Sequence, residues 1–130
     1  MSQTDTPLEE TASKTILIVE DDVDIGEILV QTLNDQTSYQ ALLASDGFQA
    51  LRMVKTLKPD LFVLDYQLPG MNGLKLYDRL CAAEGLEHIP TLFMSANMPA
   101  GEAEKRHAPY IEKPFEFDGM LELIEKLLAE

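Results

Sequence analysis

Four places in the chain set polar, chemistry-bearing side chains directly after short, largely apolar runs. Glu20-Asp21-Asp22 follows Ile16–Val19, Asp65 follows Leu61–Leu64, Ser95 follows Thr91–Met94, and Lys113 follows Tyr110–Glu112. Each run suits a buried strand, so each polar group would stand at a strand's carboxyl end. Carboxylates gathered there repel one another. A pair ~4 Å apart costs about 4 kcal/mol at an effective dielectric of 20, so if the first and third strands are neighbours, Glu20, Asp21 and Asp65 converge and need a cation or raised pKa values. Oxygen-only ligands favour Mg2+ or Mn2+ over zinc. With Lys113 as a second positive charge and the Ser95 hydroxyl as a donor, the set suits phosphoryl transfer onto a nucleophilic Asp65.

The elements that must position these residues can be read from hydrophobic period. Strands are expected at Thr15–Glu20, Tyr39–Ala44, Asp60–Asp65, Pro90–Ser95 and Tyr110–Glu112. Between them lie helical patterns: Asp22–Leu33, burying Val23, Ile25, Ile28, Leu29 and Leu33; Gly47–Leu57, burying Phe48, Leu51, Val54 and Leu57; Gly73–Ala83; and Phe115–Leu128. Ala100–His107 has almost no apolar face and is bracketed by Pro99, Gly101 and Pro109, so a fourth helix there is short, loose or absent. Strands joined by helical crossovers make an α/β fold with a parallel sheet and helices on both faces. Ligands of such sheets bind at the carboxyl ends of the strands, where the strand order reverses.

Composition bounds the rest. The chain's 130 residues suit one domain, expected over 15–130 after a flexible polar tail at 1–14, and the apolar content of 45% supports a real core. Ten basic against 23 acidic residues give a net charge of −13, which argues against direct contact with nucleic acid or an anionic membrane. No apolar run reaches the ~18–20 residues of a membrane span. The single cysteine, Cys81, forms no internal disulfide, and the expected setting is the cytoplasm. His88 and His107 lack partners and read as surface residues, while Met94, Met98 and Met120 read as core or rim filler.

The stretches Ile16–Asp22, Leu64–Gly73, Met94-Ser95-Ala96 and Tyr110–Phe115 together resemble the receiver domain of two-component response regulators, over essentially Thr15 to the last residue. The resemblance implies a flavodoxin-like sheet of order 2-1-3-4-5, with Glu20, Asp21 and Asp65 in one cleft. It implies Asp65 as phosphoacceptor, served by a sensor histidine kinase, a histidine phosphotransfer protein or a small phosphodonor. Asp21 would bind Mg2+ (or Mn2+) directly and Glu20 mostly through water, with the backbone carbonyl of Gln67 as a further ligand. Ser95 and Lys113 would contact the phosphoryl group, Tyr110 would turn inward as Ser95 moves, and the Lys113-Pro114 bond would be cis. The protein would act as no enzyme beyond its own phosphorylation and dephosphorylation. It would signal through contacts with a downstream protein target, with a weak homodimer as an option.

The pattern departs from the family between Ser95 and Lys113, where about one helical turn is missing, on a face often used for dimerisation or output. Two rivals stay open: a receiver fold that binds partners without phosphorylation, and an aspartyl-phosphate phosphatase. The phosphatase would want a second Asp two residues after the nucleophile, and Gln67 stands there. A flavin role lacks a glycine- or hydroxyl-rich phosphate cradle in the first loop.

Overall fold

The computed structural model describes residues 14–129. The tail expected over 1–14 therefore lies, apart from Lys14, outside the described residues. Five parallel strands, β1 (Thr15–Val19), β2 (Gln40–Ala44), β3 (Leu61–Asp65), β4 (Thr91–Ser95) and β5 (Tyr110–Glu112), form one sheet in the order β2-β1-β3-β4-β5. Among the described residues five helices connect and close it: α1 (Val23–Gln36), α2 (Gly47–Met53), α3 (Gly73–Ala82), α4 (Glu102–Lys105) and α5 (Phe117–Ala129).

Alternation along the strands sorts the core into two layers. Ile16, Ile18, Leu61, Val63, Leu92 and Met94 pack with Leu29 and Leu33 of α1 and with Met120 and Ile124 of α5. Leu17, Val19, Phe62, Leu64 and Phe93 face the other way, onto Ala50 of α2, Leu76 and Leu80 of α3 and Ala103 of α4. β3 and β4 are buried throughout, as central parallel strands covered on both faces must be.

Short polar side chains start three of the helices by accepting a free backbone N–H. Asp22 caps α1 through Ile25, Asp46 caps α2 through Gln49, and Asn72 caps α3 through Lys75, at 3.2, 2.7 and 2.8 Å. The fourth helix is one turn long, as its lack of an apolar face suggested. It opens at Gly101 in the left-handed region without a side-chain cap. It closes in a Schellman turn, with His107 N–H donating to Glu104 O and Ala108 N–H to Ala103 O, and His107 holds φ 53 where glycine is the usual occupant.

Two expectations about burial fail. In α1 only Gly26, Leu29 and Leu33 are buried, while Val23, Ile25 and Ile28 are 47%, 41% and 62% exposed. α2 ends at Met53, not at Leu57, and its Phe48 is 44% exposed because the buried side of the helix is that of Gly47, which faces Met71 and Leu76, and of Ala50. Shifts of a residue or two also occur at the ends of β1 and α5, where Glu20 falls just past its strand and Phe115 and Glu116 precede the helix.

Candidate phosphoryl-accepting site

The sheet register builds the site. Val19 lies beside Leu64, so Glu20 and Asp65, each the next residue, emerge side by side. Asp65 lies beside Met94 and Ser95 beside Glu112, so Ser95 and Lys113 continue the same row across β4 and β5. Lys113 is then tied to its place by donating its backbone N–H to Ser95 O at 2.8 Å, and the Lys113-Pro114 bond is cis.

Lys113 spans the two buried acids. Its Nζ donates to Glu20 Oε1 at 2.7 Å and to Asp65 Oδ2 at 2.9 Å. Their other oxygens are also engaged: Asp22 N–H donates to Glu20 Oε2 at 3.1 Å, and Gln67 N–H to Asp65 Oδ1 at 3.1 Å. Glu20 and Asp65 are 1% and 4% exposed. Burial raises the pKa of Glu20, and the Asp65 charge adds to this, against the opposing pull of Lys113 and the Asp22 amide. For the Lys113 ammonium, burial works the other way, but the hydrogen bonds to Glu20 and Asp65 outweigh it and its pKa is raised.

Asp21, exposed at the rim, completes a cluster in which Glu20, Asp21 and Asp65 each offer a carboxylate oxygen within 4.8 Å of the others. One lysine does not neutralise three carboxylates, so the residual charge attracts a second cation. This all-oxygen set suits a hard cation, and Glu20, Asp21 and Asp65 are the residues that would hold Mg2+. The donor set fits the group expected from the sequence.

The remaining expected residues lie around this centre. Ser95 is buried, and its Oγ accepts from Asn97 N–H at 2.9 Å. Gln67 and Asn97 are exposed amides at the rim. Tyr110 stands on edge strand β5, 42% exposed. Glycine at 73 keeps the loop after Asp65 tight, because a Cβ there would meet the Asp65 carbonyl oxygen at 2.3 Å.

Sequence reasoning missed an apolar groove beside the site, of about 460 Å³, lined by Ile25, Ile28 and Leu29 of α1 and by Lys113, Pro114 and Phe115 of the β5–α5 loop. A signal for it existed. The apolar residues Val23, Ile25, Ile28, Leu29, Val30 and Leu33 spread round most of the circumference of α1, more than one buried stripe can use.

Among the described residues, no helix is long and apolar enough to cross a membrane. A family model, the response regulator receiver domain, matches residues 16–125. The polar-differentiation response regulator DivK of Brucella ovis is 30% identical over 122 residues, 91% of this chain and 98% of DivK. The DNA-binding response regulator MtrA of Mycobacterium tuberculosis is 34% identical over 110 residues, 82% of this chain and 46% of MtrA, so the chain spans about half the length of that relative. The receiver domain of a sensor histidine kinase from Pseudomonas aeruginosa, with a magnesium ion coordinated in its active-site cleft, is 25% identical, with a TM-score of 0.75 over 92% of this chain and all of that one.

Proposed function

The chain belongs to the response regulator receiver domain family of two-component signalling, and on that premise we propose that Asp65 takes a phosphoryl group from a histidine kinase or phosphotransfer protein in a Mg2+-dependent reaction. The observation that carries this reading is Lys113 held on Asp65 at 2.9 Å, with Glu20 and Asp21 gathered beside them.

In the reaction an Asp65 carboxylate oxygen attacks phosphorus. The new O–P bond forms as the bond to the donor's imidazole nitrogen breaks, and the leaving nitrogen keeps the electron pair. Lys113, already beside Asp65, pairs with the added charge on the phosphoryl oxygens. Ser95 gives up its bond from the Asn97 N–H and turns its hydroxyl to donate to the same group. Glu20, Asp21, Asp65 and the Gln67 carbonyl would hold the ion. A bound Mg2+ (or Mn2+) would neutralise and orient the phosphoryl oxygens.

The donor docks in the groove of α1 and the β5–α5 loop, whose exposed Ile25 and Ile28 lie beside the lysine that meets the phosphoryl group. The output passes to a protein target, through a population shift in which Tyr110 changes its exposure. The chain turns over no substrate beyond its own phosphorylation and dephosphorylation, and it works in the cytoplasm, where Cys81 remains a thiol.

Intact-mass analysis with acetyl phosphate tests the reading. The expected result is one added phosphoryl group on the wild type with Mg2+, and none on Asp65→Asn or after chelation. A wild type that gains no mass with Mg2+ would overturn it.

A further inference from the structure

We propose that the N-terminus of α2 is a positioning element for the metal site, acting through a reciprocal interlock in which Phe48 seats on Gly70 and Met71 seats on Gly47. The interlock holds the β3–α3 loop, and the inference rests on the reading of the Gln67 carbonyl as a metal ligand.

The geometry is paired. A Cβ on Gly70 would lie 2.9 Å from Phe48 Cε2, and a Cβ on Gly47 would lie 3.3 Å from Met71 Sδ. Two adjacent residues of α2 thus engage two adjacent residues of the loop, and at each contact the partner of the large side chain is a glycine. Met71 is 4% exposed and anchors the buried half of the interlock, while Phe48 covers the outer half.

The loop needs such a hold. Its ends are fixed to the site by the hydrogen bond from Gln67 N–H to Asp65 Oδ1 and by the bond from Gly73 N–H to Tyr66 O. Between them Gly70 sits at φ +79, and glycine has more backbone freedom than any other residue. The Phe48 ring restricts that freedom from outside the cleft, three residues from the Gln67 carbonyl that would serve as the ligand. Phe48 touches no reacting atom. It acts through the loop.

The half-exposed position of Phe48 separates this role from a general packing role. Phe48→Ala should leave the melting temperature close to that of the wild type, yet loosen the Gln67 carbonyl. The test is a Mg2+ titration of the full chain with no phosphodonor, followed by the amide resonances of Asp21 and Gln67. Wild type, Phe48→Ala and Phe48→Leu are compared, each with its melting temperature.

Phe48→Ala is expected to weaken Mg2+ binding about tenfold, the lower end for residues that support metal ligands. Phe48→Leu, which keeps an apolar side chain over Gly70, should recover most of the lost affinity. Wild-type affinity in Phe48→Ala, or no recovery of affinity in Phe48→Leu, would overturn the interlock. So would a loss of affinity that only tracks a large fall in melting temperature. A wild type that binds no Mg2+ would instead overturn the metal reading and the inference with it.

Discussion

Lys113 and Glu20, 93 positions apart in the chain, meet at 2.7 Å, and the same ammonium reaches Asp65 at 2.9 Å. One cation therefore sits between two acids that are almost wholly buried. Three carboxylates in this space, without Lys113, would repel one another with little water to screen them.

Replacing Lys113 with Met should destabilise the protein by about 1–3 kcal/mol in the absence of metal, since it leaves two buried acids without their cation while the lysine's partial exposure moderates the loss. Mg2+ should then narrow the gap to the wild type, because it supplies the missing charge. Urea unfolding with and without Mg2+ measures both effects. An equal gap under the two conditions would argue against a cation site at Glu20, Asp21 and Asp65.

At Gly73 the usual gain from replacing a helical glycine reverses sign. Gly73→Ala would place a methyl group 2.3 Å from the Asp65 backbone oxygen, and backbone cannot yield as a flexible side chain can. A loss of about 1–3 kcal/mol is expected, the range of overpacking substitutions. Acceptance of phosphoryl from acetyl phosphate should fall with it, since Asp65 itself is pushed.

The exposed side of α1 separates docking from chemistry. Ile28, 62% exposed in the groove wall, can become Glu at little cost to folding. Ile28→Glu should leave the melting temperature and the acetyl phosphate reaction near wild type and slow phosphotransfer from a histidine kinase at least tenfold, roughly the 1.4 kcal/mol that one lost apolar contact supplies. An unchanged kinase reaction would remove the groove from the docking surface.

Arg106 pins the single-turn fourth helix to α3 and ties the two elements electrostatically. Its guanidinium makes a paired contact with Asp78 at 3.2 and 3.1 Å and a contact with Glu102 at 2.9 Å, and its carbonyl accepts from the Tyr77 hydroxyl. Hydrogen bonds from Arg106 and then Lys105 lower the Glu102 pKa below its ordinary 4.5. A depressed acid contributes stability above its unfolded pKa and loses it as pH falls through the folded one. The melting-temperature difference between wild type and Arg106→Met should therefore be largest near neutral pH and shrink as pH drops below about 4.5. A difference that stays constant into acid would sink the idea.

His107 is the residue most easily improved. With φ 53 at the end of α4 it pays a left-handed penalty that glycine avoids. His107→Gly should stabilise by about 0.5–1 kcal/mol, the left-handed cost less the extra freedom glycine has in the unfolded chain. A thermal melt measures it, and a lower melting temperature would show that the imidazole contributes more than its backbone costs.

Much of this site was legible in the sequence because its residues sit next to strand ends. A strand announces itself by a run of apolar residues; Glu20, Asp65 and Ser95 each follow such a run directly, and Lys113 stands one residue past Tyr110-Ile111. The weak fourth helix was legible for the opposite reason, a lack of apolar residues between two prolines. The buried side of α1 was not, because a helix apolar round most of its circumference gives no single direction for its core. Nor was the end of α2, since Leu51, Val54 and Leu57 keep a helical period past the point where the chain stops being helical.

By itself, then, the sequence determined the alternation of buried strands and helices and the identity of the groups at the strand ends, since both are written in adjacent residues. The strand order entered through resemblance and not through pattern. Only the tertiary structure decided that Lys113 bridges Glu20 and Asp65, that Ile25 and Ile28 face outward beside it, and that Phe48 seats on Gly70. Each of these depends on how segments far apart in the chain pack. Their distances are set by sheet register and helix rotation, which depend on all the packed neighbours together and leave no local trace.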